Sequence, residues 1–517
     1  MNAGKVAGIC FAAAVLAASL HDSWPMISVG LGGPDGSSPV LRPRRAVERF
    51  VPKGERVTVL RTDSADRPSQ VCRSIYLSAA WAAGAGNVEE KRALDGDERY
   101  VLVAPMAFPP AALARNPRYL EFGAQDAGRI WIREDAPTSS SGDAESGARW
   151  RLCWREALGL VAPIGLAVLL VAIGLGGLPR PAAWIGCGAL LTLNALFALS
   201  HTFTGPCGTG VFGGRARALV ESGWDLSKLA DPNMGEYFQA SYPPLQAVVT
   251  AVGYSIAGMC GEWITQFGPV VFLAAAYLVM TGMRRGDAGR AKTESPAWCM
   301  LIAAACATRP MVHATGNFCA EPLLLLVVAS GWSVLRRGDD RGWFLIGLAG
   351  LVKNEGLIYA PAIAVAEALS GRLRVRGVVD LALGLVPVAL WHVCCRFTGA
   401  TLYDYAAPWQ CDFAHASAAA RELVLEVASH PWRYAFLVVV PAAAIRAAHA
   451  AERGPGRLRA AACAALPPLS FFAVFASGVC YAFSLSRSPD FTWHVSCLPR
   501  LIAPAAALAL ASAVRRG

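Results

Sequence analysis

The chain has 517 residues, 55% of them hydrophobic and 16% charged, with a formal net charge of +10 and a mean hydropathy of +0.40. Soluble domains carry about a quarter charged residues, so this composition excludes an ordinary soluble protein and points to a polytopic α-helical membrane protein. The positive charge does not imply nucleic acid, because the basic residues fall in short clusters between apolar runs, as in membrane loops that face anionic lipid.

In chain order, residues 5–20 (KVAGICFAAAVLAASL) form a short apolar segment, a signal peptide or an anchor, within a first region 1–22. Residues 40–150 are more polar and punctuated by Pro and Gly. RVTVL (56–60), RYVLVA (99–104) and RIWIRE (129–134) read as strands, and SQVCRSIYLSAAWAAG (69–84) reads as an amphipathic helix. A small α/β domain is expected there, followed by a flexible linker at 137–148. It carries no glycine-rich phosphate loop. Fifteen cysteines are scattered without CxxC or Cys/His metal spacing and read as small buried hydrophobes.

From 157 to 517 apolar runs alternate with loops. Basic loops at Arg284–Lys292, Arg336–Arg341, Arg372–Arg376, Arg446–Arg459 and Arg515–Arg516 are expected on the cytoplasmic side. Loops 201–241, 309–321, 398–431 and 483–499 then face outward, and counting backwards puts 25–155 outside as well. Two conflicts follow. Between loop 201–241 and loop 284–295 only one crossing is allowed, yet two apolar runs occur. The run beginning YPPLQAVVTAVGYSIAG (242–258) is therefore expected to lie along the outer face, with 264–283 as the span. Loops 336–341 and 372–376 both lie inside, but the ~30 residues between them are too few for two full spans of ~20 residues each. They should rise, turn at Lys353–Gly356 and return short of the far surface. Such a turn is tolerated only in protein or against a wet cavity. Intramembrane Lys353, Asn354 and Glu355 are thus candidates for a binding site, although a Lys–Glu pair could also merely cap two short helices.

The outer loops supply further candidates: Asp225, Asp231 and Glu236 with Tyr242 near the first loop, Glu321 after the second, and His494 and Arg500 near the last span. An arginine at the outer mouth of a span can fork to a lipid phosphate, and equally can snorkel to the interface.

YPPL after the first outer loop, then AEPLLLLVVASGWSVLRRG, WFLIGLAGLVKNEGL and WHVSCLPRLIAP, in that order, resemble the GT-C class of membrane glycosyltransferases, closest to bacterial relatives of the protein O-mannosyltransferases and the aminoarabinose transferases. The resemblance covers roughly 157–517. It implies a GT-C-like fold of about 11–12 transmembrane helices in a bacterial inner or plasma membrane, with an outward-facing site. It also implies inverting transfer of a sugar from a polyprenyl-phosphate donor to a glycan, lipid or protein acceptor of the cell envelope. Lys353, Asn354, Glu355, His494, Arg500 and Tyr242 would bind substrate, and Asp225, Asp231 or Glu321 would be catalytic, a carboxylate taking the acceptor proton. No cofactor or metal is required. One departure stands out: GRARAL (214–219) matches a helix of the family, but the acid expected before it falls at about Cys207. Either another loop carboxylate supplies the base, or the chain is a degenerate relative with an assembly or binding role. A transporter or flippase is a further alternative.

Overall fold

A computed structural model describes residues 3–31, most of 51–60, 87–91, 98–103, 119–124, 128–133, 154–175, 181–200, 211–230, 241–283 apart from 259–261, 296–400 apart from 317, 412–434, 456–485 and 497–513. The expected helix at 69–84, the linker at 137–148 and the basic loops 284–292 and 515–516 lie outside the described residues.

Among the described residues, the polar N-terminal region holds five strands, β1 (Arg56–Leu60), β2 (Asn87–Lys91), β3 (Tyr100–Val103), β4 (Tyr119–Ala124) and β5 (Gly128–Arg133), in one sheet of order β2-β1-β3-β5-β4. β1 runs parallel to β2 and β3, while β5 is antiparallel to β3 and β4. The three strands expected from sequence are β1, β3 and β5. β2 (NVEEK) and β4 (YLEFGA) lack the alternation that would have shown them.

The rest of the described chain is mainly helical. The first helix, α1 (Ala3–Leu31), is followed by α2 (Trp154–Gly159), α3 (Val161–Gly174), α4 (Pro181–Ser200), α5 (Gly213–Glu221), α6 (Leu245–Ala257) and α7 (Glu262–Thr281). Then come α8 (Pro296–Cys306), α9 (Arg309–Gly316), α10 (Glu321–Arg336), α11 (Gly342–Leu348, extended by a 3-10 turn at Ala349–Leu351), α12 (Gly356–Leu369), α13 (Val375–Thr398), α14 (Phe413–Ser429), α15 (Gly456–Ser484) and α16 (Leu498–Ser512). Among the described residues, four stretches, Ala157–Gly174, Pro181–Ala198, Val375–Thr398 and Ala465–Ser484, are long and apolar enough to cross a membrane, or five if Arg309–Gly316 and Glu321–Arg336 count as one broken span. Several shorter apolar helices of 10–17 residues pack with them. A helical membrane protein accounts for this. The outer face of α13 makes the point: Val375, Val379, Leu383, Leu390 and Phe397 are all more than half exposed. They form a greasy stripe about 33 Å long, which matches a hydrocarbon core of about 30 Å.

The expected hairpin is present. α11 begins beside the C-terminal part of α10, with Gly342 packed on the Gly331 carbonyl and Leu335. Lys353, at the far end of α11, touches Glu321 at the start of α10. α12 then returns, and Trp332 Nε1 donates to Glu367 Oε1 at 2.8 Å near its end. α10 and the two hairpin legs therefore lie side by side, with residues 352–355 as the tip. α13 packs along the hairpin through a close backbone approach of Gly347 to Gly384 and through Gly350 against Val388. Small residues let helices approach this closely in membranes. From Val388 to Thr398 the α13 helix continues about 15 Å, so the tip stops well short of the end of the neighbouring span.

One end of the bundle is collared by arginine. Arg336 Nη1 donates to Ser512 O, Arg337 to Gly174 O and Ile173 O, and Arg374 to Gly338 O. Arg372 pairs with Glu367. The two described basic loops, 336–341 and 372–376, thus share one end with the last turns of α3, α10 and α16. The hairpin tip points to the opposite end. α6 has only 13 residues, about 20 Å, too short to span alone, whereas α7 has 20 residues.

α1 packs against the bundle. Ala12 lies in the main hydrophobic core, Ser23 Oγ donates to Ala307 O at 2.6 Å, and Asp22 pairs with Arg433.

Candidate functional site

At the tip, α11 ends because Lys353-Asn354-Glu355 interrupts the apolar run, and α12 restarts at Gly356. This glycine is required by packing: a Cβ there would collide with the Ala349 carbonyl. The tight turn sets Lys353 inward. Its Nζ donates to Glu321 Oε1 at 2.9 Å and lies 3.4 Å from Glu355 Oε1. Arg500, in the first turn of α16, places Nε 2.8 Å from the same Glu321 oxygen, a contact of charges rather than an aligned hydrogen bond. Its Nη1 reaches Cys319 Sγ at 3.2 Å. The side chains of Glu321 and Lys353 are 2% and 4% exposed.

Two cations thus converge on one buried carboxylate, with a second carboxylate alongside. Withdrawing such charges from water is expensive and is repaid only with good geometry and further hydrogen bonds. Here the hydrogen bonding is incomplete. Glu321 Oε2, Asn354 Oδ1, Glu355 Oε2 and the Tyr359 hydroxyl are buried without a hydrogen-bond partner. Buried polar groups are normally paired, so this concentration of unmet demand makes the hairpin tip the candidate site.

The Tyr-Pro-Pro-Leu-Gln segment positions the site. Arg215 of α5, fully buried, donates through Nε to Leu229 O and through Nη1 to Tyr242 O at 2.8 Å. Its guanidinium lies over the Trp391 ring at 5.4 Å, and Trp391 Nε1 donates to Ser241 O. Residues 241–242 are therefore clamped from two sides. Tyr242 packs edge-on against Phe212 and lies within electrostatic range of Lys353. One turn later, Gln246 Nε2 donates to Phe318 O at 3.2 Å and to Cys319 O at 3.4 Å. Phe318 sits in the left-handed region at φ 53°, a conformation strained for a residue with a Cβ. Gln246 holds that turn, and the turn aims Cys319 and Glu321 at Arg500.

The structure therefore brings together Glu321, Lys353, Glu355 and Arg500, with Asn354 on the tip and Tyr242 beside it. It does not bring in Asp225. That side chain is exposed and accepts from Ser227 N at 3.0 Å and Ser227 Oγ at 2.7 Å. The Ser227 hydroxyl, with its backbone N–H, holds the Asp225 carboxyl below the usual carboxylate range, which makes it a weak proton acceptor. Asp231, His494 and position 207 lie outside the described residues. Among the described residues, no group of three or more His, Cys, Asp and Glu side chains is arranged to hold a metal ion. Three residues of the site were not singled out from sequence. Gln246 had a signal, as a lone polar group in an apolar run, and Arg215 had one as an arginine among small residues. Tyr359 had none.

No protein-family model, curated protein or solved structure matches the chain.

Proposed function

We propose that the chain is a GT-C-like membrane glycosyltransferase that moves a sugar from a polyprenyl-phosphate donor to a cell-envelope acceptor. The observation that carries this reading is the convergence of Lys353 and Arg500, from distant parts of the chain, on Glu321 at the tip of an apolar helical hairpin. A site for an isoprenyl phosphate needs cations held at a depth that a lipid chain can reach, and a tip recessed below the end of α13 meets that need. With the arginine collar inside, the site faces outward.

In this reading the donor phosphate lies against Lys353 and Arg500. The acceptor oxygen attacks the anomeric carbon from the face opposite the phosphate. The C1–O bond breaks, the electron pair leaves with the polyprenyl phosphate, and the anomeric centre is inverted through an oxocarbenium-like state. The two cations stabilise the departing phosphate in a low-dielectric setting. Glu321 is committed to both cations, so Glu355, with one oxygen unpaired, is the carboxylate that takes the acceptor proton.

Photo-crosslinking tests the phosphate site. A diazirine-bearing short-chain isoprenyl phosphate should label peptides from 342–369 and 498–512, and Lys353→Met or Arg500→Ala should abolish that labelling. Labelling elsewhere, or labelling indifferent to both substitutions, would overturn the assignment.

A further inference from the structure

We infer that the hairpin tip also recognises the transferred sugar itself, through ring hydroxyls that must be free rather than acylated or removed. The inference rests on the donor reading above, and the unpaired atoms carry it. Glu321 Oε1 and Glu355 Oε1 flank Lys353 Nζ. Their second oxygens therefore sit one carboxylate width from the oxygens that contact the ammonium. Both are buried and unpaired, as are Asn354 Oδ1 on the same tip and the Tyr359 hydroxyl. Tyr359 is 0% exposed. It lies within the first turn of α12, wedged against Phe475 with ring centroids 4.5 Å apart, and within electrostatic range of Lys353, Glu321 and Glu355.

Three of these four atoms are acceptors only, and an ionised phosphate diester offers no hydrogen to any of them. The phosphate can satisfy Lys353 and Arg500 but leaves the acceptors unmet. A group that brings several O–H donors close to the phosphate is the complementary ligand, and on a glycosyl phosphate that group is the sugar ring. With Glu355 reserved for the acceptor proton, Glu321 Oε2 and Asn354 Oδ1 accept from ring hydroxyls. The Tyr359 hydroxyl, which can both donate and accept, donates to a ring or hydroxyl oxygen. A site built to hydrogen-bond a hydroxyl rejects the analogue that lacks it, because its own buried groups are then left unpaired. Tyr359 and Asn354 are thus specificity-determining residues.

The test compares two probes on the full-length chain in detergent: a bare short-chain isoprenyl phosphate, and the same phosphate carrying a hexose or pentose from a small panel, each sugar also supplied in acetylated form. The wild type should bind its preferred free sugar phosphate at least about tenfold more tightly than the bare phosphate and should not distinguish the acetylated form from the bare one. Tyr359→Phe and Asn354→Ala should each remove most of that tenfold preference, weakening the sugar phosphate far more than the bare phosphate. Lys353→Met should weaken both probes. Tyr359→Phe keeps the ring and its packing, and Asn354→Ala alters a partly exposed side chain, so an unchanged melting profile separates recognition from folding. Equal binding of bare and sugar-bearing probes, or variants that weaken both alike, would overturn the sugar site while the phosphate site stands. If the wild type binds neither probe, the donor reading fails and the sugar site falls with it.

Discussion

Replacing Glu321 by Gln is the sharpest perturbation of the buried cluster. The substitution keeps the volume and removes the charge that Lys353 and Arg500 share. Removing one partner of a buried ion pair typically costs about 3–5 kcal/mol, because the remaining charge is left uncompensated. Two features set the value at the low end. Lys353 retains Glu355 at 3.4 Å, and the Arg500 side chain is 18% exposed and reaches water. The expected loss is therefore about 3 kcal/mol. Lys353→Met should cost less, since Glu321 keeps Arg500 and the Glu355 side chain is 15% exposed. In the double variant the two losses should fall short of their sum by at least ~1 kcal/mol, the coupling of a contacting pair. Unfolding in mixed micelles, titrated with dodecyl sulfate and followed by tryptophan fluorescence, measures all three variants. A loss below ~1 kcal/mol for Glu321→Gln, the scale of an exposed pair, or strict additivity in the double variant, would refute a buried, mutually dependent cluster.

Other expectations use the same titration. Tyr359→Phe should leave stability unchanged or raise it by up to ~1 kcal/mol, because it deletes a buried hydroxyl that has no partner; a loss above ~1 kcal/mol would mean that the hydroxyl is bonded in the unliganded protein. Gln246→Leu should cost about 1–2 kcal/mol by removing the amide donor to the Phe318 and Cys319 carbonyls, and a neutral result would remove Gln246 as the support of that turn. Gly347→Val should cost about 1–3 kcal/mol, since a Cβ there would come within 2.8–2.9 Å of Leu381 O and the Gly384 backbone; full tolerance would contradict the tight packing of the hairpin on α13.

The hairpin was legible in the sequence because charge and length over-determine it. Two basic loops on one side leave a stretch too short for two spans, with three polar residues at its middle. The pairing of Glu321 with Lys353 and Arg500 was only half legible. Each residue stood out as polar inside or at the edge of an apolar run, but nothing in local periodicity says that Arg500 folds back onto Glu321 rather than snorkelling to the interface. Asp225 illustrates the opposite case: in sequence it is an acid on an outer loop, and only the turn closed by Ser227 shows where its oxygen is engaged. Phe318 was silent, because a positive φ at a phenylalanine is imposed by Gln246 and the surrounding aromatic packing rather than by its own preference. β2 was silent for a related reason. Its Asn-Val-Glu-Glu-Lys reads as a charged loop until parallel pairing with β1 supplies the hydrogen bonds.

The central claim is that Lys353 and Arg500 stabilise a departing lipid phosphate while a sugar is transferred. The most direct measurement is transfer by purified protein in proteoliposomes, using radiolabelled polyprenyl-phosphate sugars and extracted envelope acceptors. The account predicts label in an acceptor fraction, a fall of about 10²-fold or more in kcat for Arg500→Ala and for Lys353→Met, and unchanged transfer for Asp225→Asn. Absence of transfer by the wild type across the donor panel, or transfer that survives both cation substitutions, would contradict it.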